Sequence, residues 1–167
     1  MKNYLILLLV LTSSAFSDYM EQLETSGRLH EQSLLTILNN RAALKSEIAS
    51  ENKEIASNAL MKVLVAWELS DGANDIETGE ILVEAWIYNP LLIASWFDSK
   101  PKSRNRWLRS QDYLFNGLVE TGNYKEVVEL KNKLIASLKG VEPGQSKTCD
   151  WYLQVISKLE VPNYENN

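Results

Sequence analysis

The chain has a single cysteine, Cys149, and a single histidine, His30, in 167 residues. One cysteine forms no internal disulfide, so a disulfide-stapled scaffold is excluded. His30 opens a His-Glu pair like that of zinc proteases, but the second histidine of that motif does not exist in the sequence, and Cys149 with His30 falls short of a zinc ligand set. A Cys149–His30 nucleophilic pair has no local motif behind it. Glycine is scarce, at 7 residues, and so is proline, at 4. Neither a phosphate-binding glycine loop nor a Gly-x-Ser-x-Gly nucleophile elbow occurs. Runs of β-branched residues alternating with polar ones are also missing, which removes the main strand signal. No catalytic, cofactor-binding or metal-ligating set emerges. Asp71, Asp75 and Glu77 start like a calcium loop, but Ile76 stands where that loop needs glycine, so helix capping accounts for them better.

What is present begins with a leader pattern. Met1-Lys2-Asn3 precedes an apolar run, Tyr4 to Leu11, and then the small residues of Thr12 to Ser17. This is the layout of a secretory signal peptide, and the run is too short for a membrane span. Cleavage is expected after Ser17, with Ala15 as the other site. The expected organisation is a signal peptide over 1–17, one domain over 18–160 and a flexible tail over 161–167. The mature product is then periplasmic or secreted, with no transmembrane segment. The net charge is −5 for the whole chain and one unit more negative once Lys2 is removed. An acidic body of this kind lacks the basic footprint of nucleic-acid binding. Cys149 reads as a small buried apolar residue, with an intermolecular disulfide as the alternative.

The body reads as helix throughout. Good helix formers dominate, and glycine and proline collect at borders. The stretch from Arg28 to Ser70 holds neither, and its length calls for a break near Lys45 to Ser50. Ile48, Ile55, Ala59, Val63 and Ala66 make an apolar stripe, and Ala59 to Trp67 is apolar nearly all round, the mark of a central helix. Gly72 stops this helix, and Asn74 or Asp75 caps the next. Asn89-Pro90 and Lys100-Pro101 mark further borders. Ser103 is expected to cap one helix reaching Gly122, Asn123 the next, and Ser146 or Thr148 the last. The expected fold is all-α: six or seven helices as antiparallel hairpins, in a bundle or a short helical-repeat stack.

Two tetrapeptides recur. Ile76-Glu77-Thr78-Gly79 returns as Val119-Glu120-Thr121-Gly122, and Leu92-Ile93-Ala94-Ser95 as Leu134-Ile135-Ala136-Ser137, with a looser echo at Leu23 to Gly27. Such spacing belongs to stacked helix pairs. Gly122-Asn123-Tyr124-Lys125-Glu126-Val127 resembles the turn and second-helix start of a tetratricopeptide repeat, over about residues 111–138. Phe115, Val127 and Leu134 stand where that family has small residues. The resemblance implies a peptide- or protein-binding surface without catalysis.

One charge cluster stands apart. Lys100, Lys102, Arg104, Arg106 and Arg109 fall within ten residues with no acid among them, and Trp107 interleaves them. The rest of the chain after Ser17 carries 11 basic and 22 acidic residues. Arginine and tryptophan dominate interaction hot spots. These six residues are therefore the candidate partner-binding site, for a protein or peptide, or another anionic surface. Five tryptophans fit as core fillers. The expected function is a non-catalytic binding or adaptor module without cofactor. Two alternatives stay open. One is a hydrolase of envelope polymers using Glu80 and Glu84, four apart on one helix face. The other is an inhibitor protein that blocks a larger enzyme.

Overall fold

The computed structural model describes residues 21, 39–69 and 75–164. Eight helices follow one another there, with no strand among the described residues. They are α1 (Arg41–Ile48), α2 (Lys53–Leu69), α3 (Asp75–Tyr88), α4 (Pro90–Ser99), α5 (Pro101–Arg109), α6 (Gln111–Thr121), α7 (Tyr124–Lys139) and α8 (Lys147–Lys158). The leader, His30, Gly72 and Asn74 lie outside the described residues.

Helix borders follow local chemistry. The break in the long proline-free stretch falls at Ala49 to Asn52, where the Asn52 side-chain oxygen accepts from the backbone N–H of Glu54 and Ile55. Pro90 and Pro101 open α4 and α5, where a missing N–H costs nothing. Asn123 caps α7 by accepting from Glu126 N–H, and Ser146 caps α8 by accepting from Cys149 N–H. Two borders depart from expectation. Ser103 does not cap a helix: it lies inside α5, because Pro101 has already started it. The single helix expected up to Gly122 is cut at Ser110. The Trp107 carbonyl there accepts from both Ser110 Oγ and Gln111 Nε2, so side chains compete for an acceptor of the helical ladder. That cut raises the helix number above the six or seven expected.

The core forms around α2 and α3. Residues 59–61 and 63–67 of α2 are at most 3% exposed, which fits the all-round apolar pattern. Ile55 departs from its stripe and is 45% exposed. In α3, which contacts α1, α2, α4, α6 and α7, Thr78 to Val83 are buried, and so are Ala85 and Trp86. Gly79 lets α6 approach: a Cβ there would sit 2.4 Å from Leu114 Cδ2. Four tryptophans, Trp67, Trp86, Trp96 and Trp107, are buried, and Trp107 meets Trp67 edge-on at 5.2 Å and stacks on Phe97 at 5.9 Å. Tyr152 of α8 packs on Trp86 and Trp107.

The recurring tetrapeptides occupy unlike places. Thr78-Gly79 lies within α3, whereas Thr121-Gly122 ends α6; Leu92 to Ser95 lies in α4, and Leu134 to Ser137 in the longer α7. After α8 the chain leaves as coil, with Leu159 buried and Val161 packed against the core.

Candidate functional site

Helix α5 carries Lys102, Arg104, Arg106 and Arg109 and no acid, with Lys100 at its N-cap. With nine residues and one buried side chain, Trp107, it turns every other side chain toward its flanks or the solvent. The cations divide accordingly. Arg106 lies toward α2, where it donates to the Trp67 carbonyl and its guanidinium sits 4.5 Å from the centre of the Trp67 ring. Lys100 lies 5.1 Å from the Trp96 ring and 3.5 Å from a Glu68 carboxylate oxygen. Arg104 lies toward α8, 4.7 Å from the Trp151 ring, with Asp98 at 3.6 Å. Arg109 donates to the Asn105 carbonyl of its own helix and stays exposed. Lys102 is exposed as well. Neither Lys102 nor Arg109 has an acidic partner among the described residues.

The six residues read from sequence thus serve different ends. Trp107 is 0% exposed and belongs to the core, so it is withdrawn from the partner-binding set. Its ring packs against Trp67, Phe97 and Tyr152. Lys100, Arg104 and Arg106 are half-buried against tryptophan faces. A cation over an indole gains about 0.5–2 kcal/mol, more as water is excluded. This holds three long side chains in place and leaves Lys102 and Arg109 as the outward charges.

Of the five tryptophans expected as core fillers, Trp151 departs from that expectation. It is 40% exposed, and the buried side of α8 is made by Thr148, Cys149, Tyr152 and Ile156. Beside it, Thr148 Oγ1 donates to Asp98 Oδ1 at 2.5 Å, the same carboxylate oxygen that Arg104 faces. Cys149 is buried and free, with Sγ 3.7 Å from the Pro90 carbonyl. Burial pushes its thiol pKa up, and Asp150 and Asp98 add to that against a lowering hydrogen bond from Ser146.

Glu80 and Glu84 of α3 face α1. Arg41 pairs with Glu80 and Lys45 with Glu84, two ion pairs in register, and Glu80 is only 3% exposed. They border a shallow depression of about 430 Å³ that also takes in Glu126, Glu129 and Lys133. Each carboxylate receives a donor from a cation of α1, an arrangement that clamps α1 to α3. A larger open depression, about 860 Å³, lies at the α3–α4 junction, where Tyr88 and Leu91 are exposed. No cluster of metal-ligating side chains forms among the described residues, and none of the described helices is long and apolar enough to cross a membrane.

The chain matches no protein-family model, no curated protein and no solved structure.

Proposed function

We propose that this is an exported, non-catalytic helical protein that captures an acidic protein or peptide partner through the solvent side of α5. The leader pattern of residues 1–17 supports export to the periplasm or beyond. The observation that carries the binding reading is the division of the α5 cations. Three are seated on tryptophan rings, and Lys102 and Arg109 project outward unpaired by any acid among the described residues. A basic face on an otherwise acidic body draws an anionic partner in one orientation and raises the rate of encounter. The five cations of residues 100–109 fall short of the extended basic footprint that nucleic-acid binding needs.

The test is charge reversal at the two outward positions. Arg104 and Arg106 are unsuitable, because each packs on a tryptophan and reversal would disturb the fold. Lys102→Glu with Arg109→Glu should leave the thermal melt unchanged and cut recovery of the native partner from the extracytoplasmic fraction at least tenfold. Lys133→Glu, in the depression beside α1, should leave recovery intact. Equal recovery by all three proteins would reject the reading.

A further inference from the structure

We infer that the depression at the α4–α5 corner seats one carboxylate group of the acidic partner, held by Lys102, Arg106 and the first backbone N–H groups of α5. This rests on the reading above and names the place on α5 and the group it takes.

The depression measures about 550 Å³ and lies between Glu68, near the end of α2, and the first turn of α5, with Arg106 one turn further on. Lys102 and Arg106 are four residues apart and so share a side of α5. Three cations, Lys100, Lys102 and Arg106, line it against one carboxylate, Glu68, which stands 3.5 Å from Lys100 Nζ. The bond from Arg106 to the Trp67 carbonyl and its seat on the Trp67 ring fix that guanidinium in the wall. Lys102 is exposed and has no acid against it among the described residues. A concave surface with a surplus of one charge focuses its field and concentrates the opposite charge. Arg109 is not among the described residues that line the depression.

The backbone adds donors at the same place. Pro101 opens α5 without an N–H, and Arg104 N–H is the first to reach a helical acceptor, the Lys100 carbonyl. Lys102 and Ser103 N–H find no acceptor among the described residues, and Lys100 at the N-cap supplies no side-chain cap. An independent feature of the wall points to a missing acceptor. Ser103 Oγ is closed off from solvent without a hydrogen-bond partner among the described residues, whereas the Ser99 and Ser110 hydroxyls donate to the carbonyls three residues back. A buried hydroxyl left unpaired in this way calls for an explanation, and an oxyanion over the first turn supplies the acceptor. Glu68 decides which oxyanion. A phosphate dianion would meet that carboxylate with two charges, and a carboxylate meets it with one. The two oxygens of a carboxylate also suit paired N–H donors.

The experiment is a nitrogen-15 chemical-shift titration of the protein, purified after expression of the full chain. The probes are the single-carboxylate peptide acetyl-Ala-Glu-Ala-amide, its Gln counterpart and inorganic phosphate. The Glu peptide should give saturating shifts centred on Lys102 and Ser103 N–H that weaken with added salt, and the Gln peptide should give none. Lys102→Gln should weaken binding about tenfold and Ser103→Ala about threefold, with circular dichroism confirming the fold of each. Arg109 lies about 10.5 Å along the axis from Lys102, close to one screening length at about 0.1 M salt. Arg109→Gln should therefore change the peptide affinity by about twofold at most. Absence of shifts at Lys102 and Ser103, equal weakening by Arg109→Gln, or phosphate binding more tightly than the Glu peptide overturns the inference. If reversal of Lys102 and Arg109 still loses the native partner while the Glu peptide leaves Lys102 and Ser103 unmoved, the basic-face reading stands and this seat falls. If neither partner nor peptide depends on those residues, both fall.

Discussion

Replacing Tyr152 by phenylalanine removes one hydroxyl from the centre of the molecule. Tyr152 is 0% exposed, and its Oη donates to Gln111 Oε1 at 2.9 Å. Gln111 is 1% exposed and passes the connection on, its Nε2 donating to the Trp107 carbonyl at 2.6 Å. This relay joins α8 to the α5–α6 border. Loss of the hydroxyl leaves the amide oxygen buried without a donor, at a cost of about 1–3 kcal/mol. Gln111→Leu leaves the phenol without an acceptor, again about 1–3 kcal/mol, and also gives up the link to Trp107, about 1 kcal/mol. With both replaced, no polar atom of the Tyr–Gln link remains to be left unpaired. The double variant should therefore cost less than the sum of the singles by about 1–2 kcal/mol. Urea unfolding followed by far-UV circular dichroism, with unchanged slopes, gives the three differences. Strictly additive effects, or single losses below about 0.5 kcal/mol, would refute a coupled relay at that place.

Gly79→Ala sets helix propensity against space. Alanine gains about 1 kcal/mol within a helix, but its Cβ would lie 2.4 Å from Leu114 Cδ2, and Leu114 is fully buried. Overpacking costs about 1–3 kcal/mol, so a net loss is expected in the melting temperature, and Leu114→Ala should be less harmful in the Gly79→Ala background than alone. Burial raises the Tyr152 pKa well above its usual value. The folded state thus holds its proton more tightly than the unfolded one. The stability from this group is intact below about pH 10 and is lost as pH rises toward the folded value. Absorbance titration should show one tyrosine that ionises only as the far-UV helical signal collapses, and a phenolate seen at that site in folded protein would contradict this.

Most helix borders were legible because they rest on residues adjacent in sequence. Asn89-Pro90, Lys100-Pro101, Gly122-Asn123 and Ser146 act within a few positions of themselves, through a fixed φ or a cap. The Ser110 break was not legible. It depends on Gln111 turning back to the Trp107 carbonyl while bonding Tyr152, 41 residues on. Ile55 kept the apolar spacing of its stripe but sits in the first turn of α2, where nothing covers it fully. The basic cluster was visible as composition, and its division was not. Whether a cation of α5 turns inward depends on the places of Trp67, Trp96 and Trp151, which only the packing of α2, α4 and α8 sets. Trp107 and Trp151 show the same limit from the other side: identical residue types, one central and one open, separated by which stripe each joins. The pairing of Arg41 and Lys45 with Glu80 and Glu84 likewise bridges 39 residues.

Backbone hydrogen–deuterium exchange on the protein with its native partner bound tests the central claim most directly. The account predicts that protection on binding concentrates in α5, around Lys102 and Arg109. Protection at the α3–α4 junction around Tyr88 and Leu91, with α5 unchanged, would contradict it.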